Sequence, residues 1–198
     1  MPLTKVTKSL ITSVDVSQIN TTGSDAGKVL TSNGSTLNWV ASSSIGSTGI
    51  THGTAVTLTS QTSVDFTGIP STAKRIMVMF DVASLNATGN WLLQIGSGSI
   101  ATTGYSSYVA SGGSAFTSTA GFIIPSANAS NTYTGTIVLC KISSNNWVSV
   151  TNLAIISSST GTIGTGSKSL AGDLDMIRLT TVAGTSQFDA GTVNIMWE

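Results

Sequence analysis

From Ile50 to the C-terminal Glu198 this chain repeats one pattern: a short apolar stretch of period two, then a turn rich in Gly, Ser and Asn. Period two puts alternate side chains on opposite faces of a strand, so each stretch offers an apolar face to another layer. Ala55-Val56-Thr57-Leu58-Thr59 alternates, and Val64 to Pro70 ends in a turn. In Lys74 to Ala83, Ile76, Val78, Phe80 and Val82 share one face. Met77 and Met79 lie between Arg75 and Asp81 on the other, which reads as half-buried. Trp91 to Gly96, Tyr133 to Ile142, Trp147 to Ile156 and Leu174 to Thr180 follow. Ser143-Ser144-Asn145-Asn146 closes a hairpin between two of them. The last strand sets Val193, Ile195 and Trp197 against Thr192, Asn194, Met196 and Glu198. That is about nine or ten strands at the spacing of an antiparallel sandwich. Helical periodicity and βαβ alternation are both absent, which argues against an α/β enzyme. The expected fold is all-β: an antiparallel, jelly-roll-like β-sandwich over residues 50–198.

The surface of such a domain must be built from hydroxyls and amides. Charged residues are only 8% of the 198, and Ser and Thr make up about a third. Yet 40% of residues are hydrophobic and mean hydropathy is +0.30, the opposite of a disordered composition. Eight basic residues balance eight acidic ones. The only adjacent basic pair is Lys74-Arg75, so no phosphate-neutralising patch is visible and no nucleic-acid partner is expected. Near-zero net charge favours assembly over a soluble monomer. No apolar run approaches the ~20 residues of a membrane helix, and the N-terminus lacks the apolar core of a secretory signal. No membrane insertion is expected, and synthesis is expected in a cytoplasm. The one cysteine, Cys140, reads as a small inward-facing hydrophobe in a strand.

Residues 1–49 read differently. Up to about residue 24 the chain is an extended arm, its apolar Val6, Leu10 and Val14 separated by Thr, Ser and Val. Residues 25–41 contain two β-prone runs around Asn33-Gly34, the strongest short-range hairpin signal. A lone hairpin is marginal in water, so something must cover Val29, Leu30, Leu37 and Trp39. Residues 42–49 are a Ser/Gly linker.

Catalytic patterns are scarce. His52 is the one histidine, and it has no companion ligands in sequence, so no metal or other cofactor is expected. No Gly-x-Ser-x-Gly elbow links a strand to a helix. Gly96-Ser97-Gly98-Ser99 precedes no helix, which leaves a phosphate cradle unsupported. Asp173 and Asp175 are two apart and would face one way on a strand, the only carboxylate pair available for glycoside cleavage. The competing reading is a charged strand start, with Asp175 near Arg178 or Lys168. The expected catalytic set is therefore empty. Binding is better represented. Tyr105 and Tyr108 sit among Ser and Gly, the mixture of rigid rings and short hydrogen-bonding groups used in adaptable recognition. With Trp91, Asn145 and Asn146 they form the candidate binding set.

Gly27-Lys28-Val29-Leu30-Thr31-Ser32-Asn33-Gly34-Ser35, followed by Trp39, resembles a module of bacteriophage tail fibre proteins. In the second half, the segments Ser63 to Ser71 with Lys74 to Phe80, Leu93 to Gly96, Thr103 to Ser107, Gly166 to Gly172, Asp175 to Thr181 and Phe188 to Ile195 resemble, in order, a domain common at the C-terminal ends of tail fibre and related proteins of tailed bacteriophages. The resemblance implies a β-rich, trimeric, host-facing module on a virion, and it carries over no catalytic residues. Such fibres have a long shaft, whereas only residues 1–49 precede the domain here. A short fibre, a tip subunit or a decoration on another virion protein would fit. The expected partners are then further copies of the chain, tail or baseplate proteins bound through the N-terminal arm, and a host surface glycan or protein. A capsid decoration protein and a glycan depolymerase are the alternative readings.

Overall fold

A computed structural model describes residues 28–32, 35–41 and 49–198. The chain divides into two units, Met1–Thr48 and Gly49–Glu198. In the first, β1 (Lys28–Ser32) and β2 (Leu37–Ala41) form an antiparallel hairpin. Leu30 pairs with Trp39, Val29 with Val40 and Ser32 with Leu37. Val29 is exposed and Leu30 and Trp39 are half-buried. The arm positions Val6, Leu10 and Val14 and the Asn33-Gly34 turn lie outside the described residues.

The second unit has thirteen strands: β3 (Thr51–His52), β4 (Val56–Thr57), β5 (Ser63–Thr67), β6 (Arg75–Leu85), β7 (Trp91–Gly96), β8 (Tyr105–Ser111), β9 (Ser114–Ser118), β10 (Phe122–Ile124), β11 (Tyr133–Ser143), β12 (Asn146–Ile155), β13 (Thr160–Ser169), β14 (Met176–Thr181) and β15 (Phe188–Trp197). The described residues include no α-helix, and the one helical turn is a 3-10 turn at Ile156–Ser158. All pairings are antiparallel. The large sheet runs β3-β15-β6-β11-β12-β13-β8-β9, with β4 also on β15, and the small sheet runs β10-β7-β14-β5.

Period-two patterning places the core. Ile76, Val78 and Phe80 of β6, Ile137 and Leu139 of β11, and Val193 and Ile195 of β15 point inward from the large sheet. They meet Trp91, Leu93 and Ile95 of β7 and Ile177 and Leu179 of β14 from the small one in a single cluster. The fold is thus an all-β antiparallel sandwich. The β8–β9 end folds against the β10 edge. There Leu92, Val109 and Ile123 form a second cluster with Phe116 packed on it.

Trp91 is the centre of the core. It is 0% exposed, with Tyr133 at 4.6 Å, Phe188 edge-on at 5.2 Å and Phe80 at 6.2 Å between ring centroids. The large sheet bends to enclose it. Three neighbouring strands lose regular register at one level, around Val82 in β6, Gly135 in β11 and Gly191 in β15. Beyond that line Ala83, Leu85, Tyr133 and Phe188 turn in over the tryptophan. Bulges and glycines are the means by which a sheet curves.

Two expectations are corrected. Val82 does not share the inward face of Ile76, Val78 and Phe80. It is the bulge residue, with φ of 51°, and is exposed. Cys140 has the parity of Val138, not of Leu139, so it lies on the outer face, half-buried between Arg75 and Val148.

Candidate functional site

Strand parity separates the residues that sequence places together. On β8, Tyr105, Ser107 and Val109 face inward and Ser106, Tyr108 and Ala110 face outward. Tyr105 is 4% exposed, with its ring edge-on to Phe122 at 5.1 Å and Lys168 Nζ at 5.2 Å from its centroid. Its hydroxyl is a structural pin. It accepts from Ile95 N–H at 2.8 Å and reaches the carbonyls of Ala101 at 2.9 Å and Ile95 at 3.1 Å. Burial pushes the phenol up to about 12, partly countered by the hydrogen bond with Ile95. Tyr105 and the fully buried Trp91 therefore offer no ring to a ligand, which corrects the candidate binding set.

Tyr105→Phe tests the pin. It leaves the Ile95 N–H buried without its phenol partner, so stability should fall by about 1–3 kcal/mol. The phenol's folded pKa lies above its ordinary 10.0, so its stabilisation is complete below pH 10 and lost as pH rises through 12. Denaturant titrations across that window should show a shallower alkaline loss for the variant. An unchanged midpoint at pH 7 would remove the structural role.

Tyr108 is 49% exposed on the outer face. A shallow groove of about 570 Å³ runs beside it, lined by Tyr105 to Tyr108 and Thr117 to Ala120. Asn145 lies in the β11–β12 turn, where its carbonyl accepts from Leu170 N–H at 3.0 Å. Asn146 donates to Ser143 Oγ at 3.2 Å. Asn146 lies two strands from Tyr108 and four residues along from Val150, the β12 residue in Tyr108's row. Strand spacing and rise put the two roughly 16 Å apart. The structure does not join Tyr108 with Asn145 and Asn146 in one site.

The carboxylates are engaged singly. Asp173 Oδ1 pairs with Lys141 Nζ at 2.9 Å. Asp175 accepts the Gly98 N–H at 3.0 Å on both oxygens, so its partner is neither Arg178 nor Lys168. Arg178 instead makes a two-point contact with Asp65, at 2.7 and 2.6 Å, which raises the guanidinium pKa further. Lys168 Nζ donates to Thr103 O at 2.8 Å. His52 is exposed on β3 opposite Met196, and no metal-ligand cluster occurs among the described residues.

Two features were not legible as sites. One is the outer face of the large sheet. Met196, Met77, Val138, Val150, Thr165 and Tyr108 lie side by side across six strands in one unbroken row. Met79, Cys140 and Val148 flank it. The other is a half-open pocket of about 270 Å³ at the end of the sandwich opposite the β11–β12 turn, where four connections converge. The Asn- and Ser-rich loop 125–131 is the one sequence signal for it.

Comparison with protein-family models, with curated proteins and with solved structures gives no match.

Proposed function

We propose that this chain is a virion structural protein of a tailed bacteriophage, of the tail fibre type. Copies of the sandwich associate as a homotrimer and mediate attachment to a host surface glycan, while the N-terminal segment joins the tail or baseplate. The observation that carries the reading is the uncovered apolar face of the large sheet. A contiguous apolar patch of several hundred Å² on a soluble domain marks an interaction surface. Here Val150, within the methionine and valine row, is 54% exposed, and Ile163 in the adjoining row is 67% exposed. Five strands and three rows span roughly 20 by 20 Å. Thr136, Asn152, Thr165 and Ser167 lie within that area among the apolar side chains, and its roughly 400 Å² is about half of the ~800 Å² each partner contributes to a standard interface.

Its charges lie at its ends. Arg75 pairs with Glu198 at 2.5 Å at one end, and Asp81 stands at the other. An uncharged centre with polar margins suits another copy of the same face or its neighbour in a ring. It suits neither a polyanion nor a strongly charged protein.

The test is light scattering of the whole chain at micromolar concentration. A trimer is expected. Val138→Asp, which buries a carboxylate at the centre of the contact, should yield a folded monomer with unchanged far-ultraviolet circular dichroism. A stable wild-type monomer overturns the reading. Immunogold labelling of virions with an antibody to this chain should mark tail tips, and capsid labelling would favour a decoration protein.

A further inference from the structure

We propose that the cavity at the loop end of the sandwich binds one ring of a neutral saccharide. It is built by residues far apart in sequence: Asn90 ahead of β7, Ser111 at the end of β8, Phe116 on β9, Asn128 and Asn131 in the β10–β11 connection, and Ser158 in the 3-10 turn. At about 270 Å³ it lies near the lower end of the ~300–1,000 Å³ of small-molecule sites.

The lining has no ionisable side chain. That removes the attraction a phosphate, a carboxylate or an amine would need. Amides and hydroxyls remain, each able to donate and to accept, as the vicinal hydroxyls of a sugar require. Phe116 supplies the other half of the chemistry. One side of its half-buried ring packs on Leu92, Val109 and Ile123, and the ring also borders the cavity, where the C–H face of a pyranose can stack.

The walls are held in place. Asn90 Oδ1 accepts from Ser126 N–H at 3.0 Å, and this leaves its Nδ2 without a partner among the described residues. Ser126 Oγ donates to Asn128 O at 3.3 Å, and Asn131 N–H donates to the same carbonyl at 3.2 Å. Tyr133 Oη donates to Pro125 O, which ties the loop to the core. Ser111 Oγ lies 2.8 Å from Thr162 Oγ1. A loop fixed in this way loses little freedom when a ligand arrives. The Asn128 side chain is exposed and makes no hydrogen bond among the described residues, so it is available to a ligand. The inference rests on the attachment reading only for the biological source of the sugar.

Saturation-transfer NMR of the whole chain with N-acetylglucosamine, galactose, glucose and rhamnose tests it. At least one sugar should show saturation of its ring protons, with a dissociation constant of about 1 mM. Asn128→Ala, and Phe116→Leu, which keeps the packing but loses the ring, should each weaken binding about tenfold. Tyr108→Ala should leave it unchanged. Equal binding by wild type and both cavity variants overturns the site but leaves a glycan-binding fibre intact. Binding lost only in Tyr108→Ala moves the site to the outer groove. Saturation of no sugar overturns the inference, while the trimer and the labelled tail tip decide the attachment reading separately.

Discussion

Trp91→Ala should cost about 3–5 kcal/mol, the range for removing a large aromatic side chain from a packed core. That is much of the ~5–15 kcal/mol that holds a domain folded. The site has little means to collapse. Trp91 sits on β7 of the small sheet, paired with Ile124 and Thr181 on either side. It is ringed by Phe80, Tyr133 and Phe188 from three strands of the large one. Those rings are held by their own ladders and, for Tyr133, by the hydrogen bond to Pro125. They cannot move in to fill the hole. Urea denaturation followed by circular dichroism should show the loss as a lower midpoint with an unchanged slope. Trp91→Phe sharpens the test. The indole Nε1 is buried without a hydrogen-bond partner, so phenylalanine removes an orphaned donor together with some volume. Its cost should be well under half that of alanine. Equal losses for the two variants would mean that ring packing does not set the stability here.

The strands that were legible from sequence have large alternate side chains on one face. β15 is the plainest, with Val193 and Ile195 buried in turn, and β11 and β12 follow the same rule. β13 was hidden because its inward positions are Thr162, Gly164 and Gly166. A Cβ at Gly166 would come within 2.7 Å of the Phe122 ring, and one at Gly164 within 2.3 Å of Val109 Cγ2. The space there is filled by Phe122 from the small sheet and by Val109 from the adjacent strand β8, so β13 must be small at these positions. β10 was hidden for another reason: Phe122, Ile123 and Ile124 are all buried, so nothing alternates. The functional side fared differently. Tyr105 and Tyr108 lie three apart, which in a loop implies nothing but on a strand assigns them to opposite faces. The loop-end cavity draws on positions 90, 111, 116, 128, 131 and 158, and no spacing rule connects them. Only the closed sandwich does.

Gly191→Ala should destabilise the domain by about 3 kcal/mol or more, although it adds a single methyl group. Gly191 has φ of 87°, which costs an L-residue about 1–2 kcal/mol. Its missing Cβ would lie 2.4 Å from the carbonyl carbon and oxygen of Val82 and 2.5 Å from Ala83 N. These are backbone atoms of the neighbouring strand, and overpacking against them adds about 1–3 kcal/mol. Val82 cannot yield, because it is itself a bulge residue and its N–H is held by Thr134 Oγ1 at 3.1 Å. Relief would require β15 to slip against β6. A slip of one residue exposes Val193 and Ile195 and buries Thr192 and Asn194. The methyl therefore acts on the bend that folds Ala83, Leu85 and Phe188 over Trp91, and its effect should appear at the tryptophan. Near-ultraviolet circular dichroism should lose the signature of the aromatic cluster in Gly191→Ala. In Gly113→Ala, where the added Cβ meets nothing within 4 Å, the φ of 81° alone is strained, and the cluster should keep its signal at a cost of about 1–2 kcal/mol. A Gly191→Ala protein as stable as Gly113→Ala would show that the bend is not what closes the core.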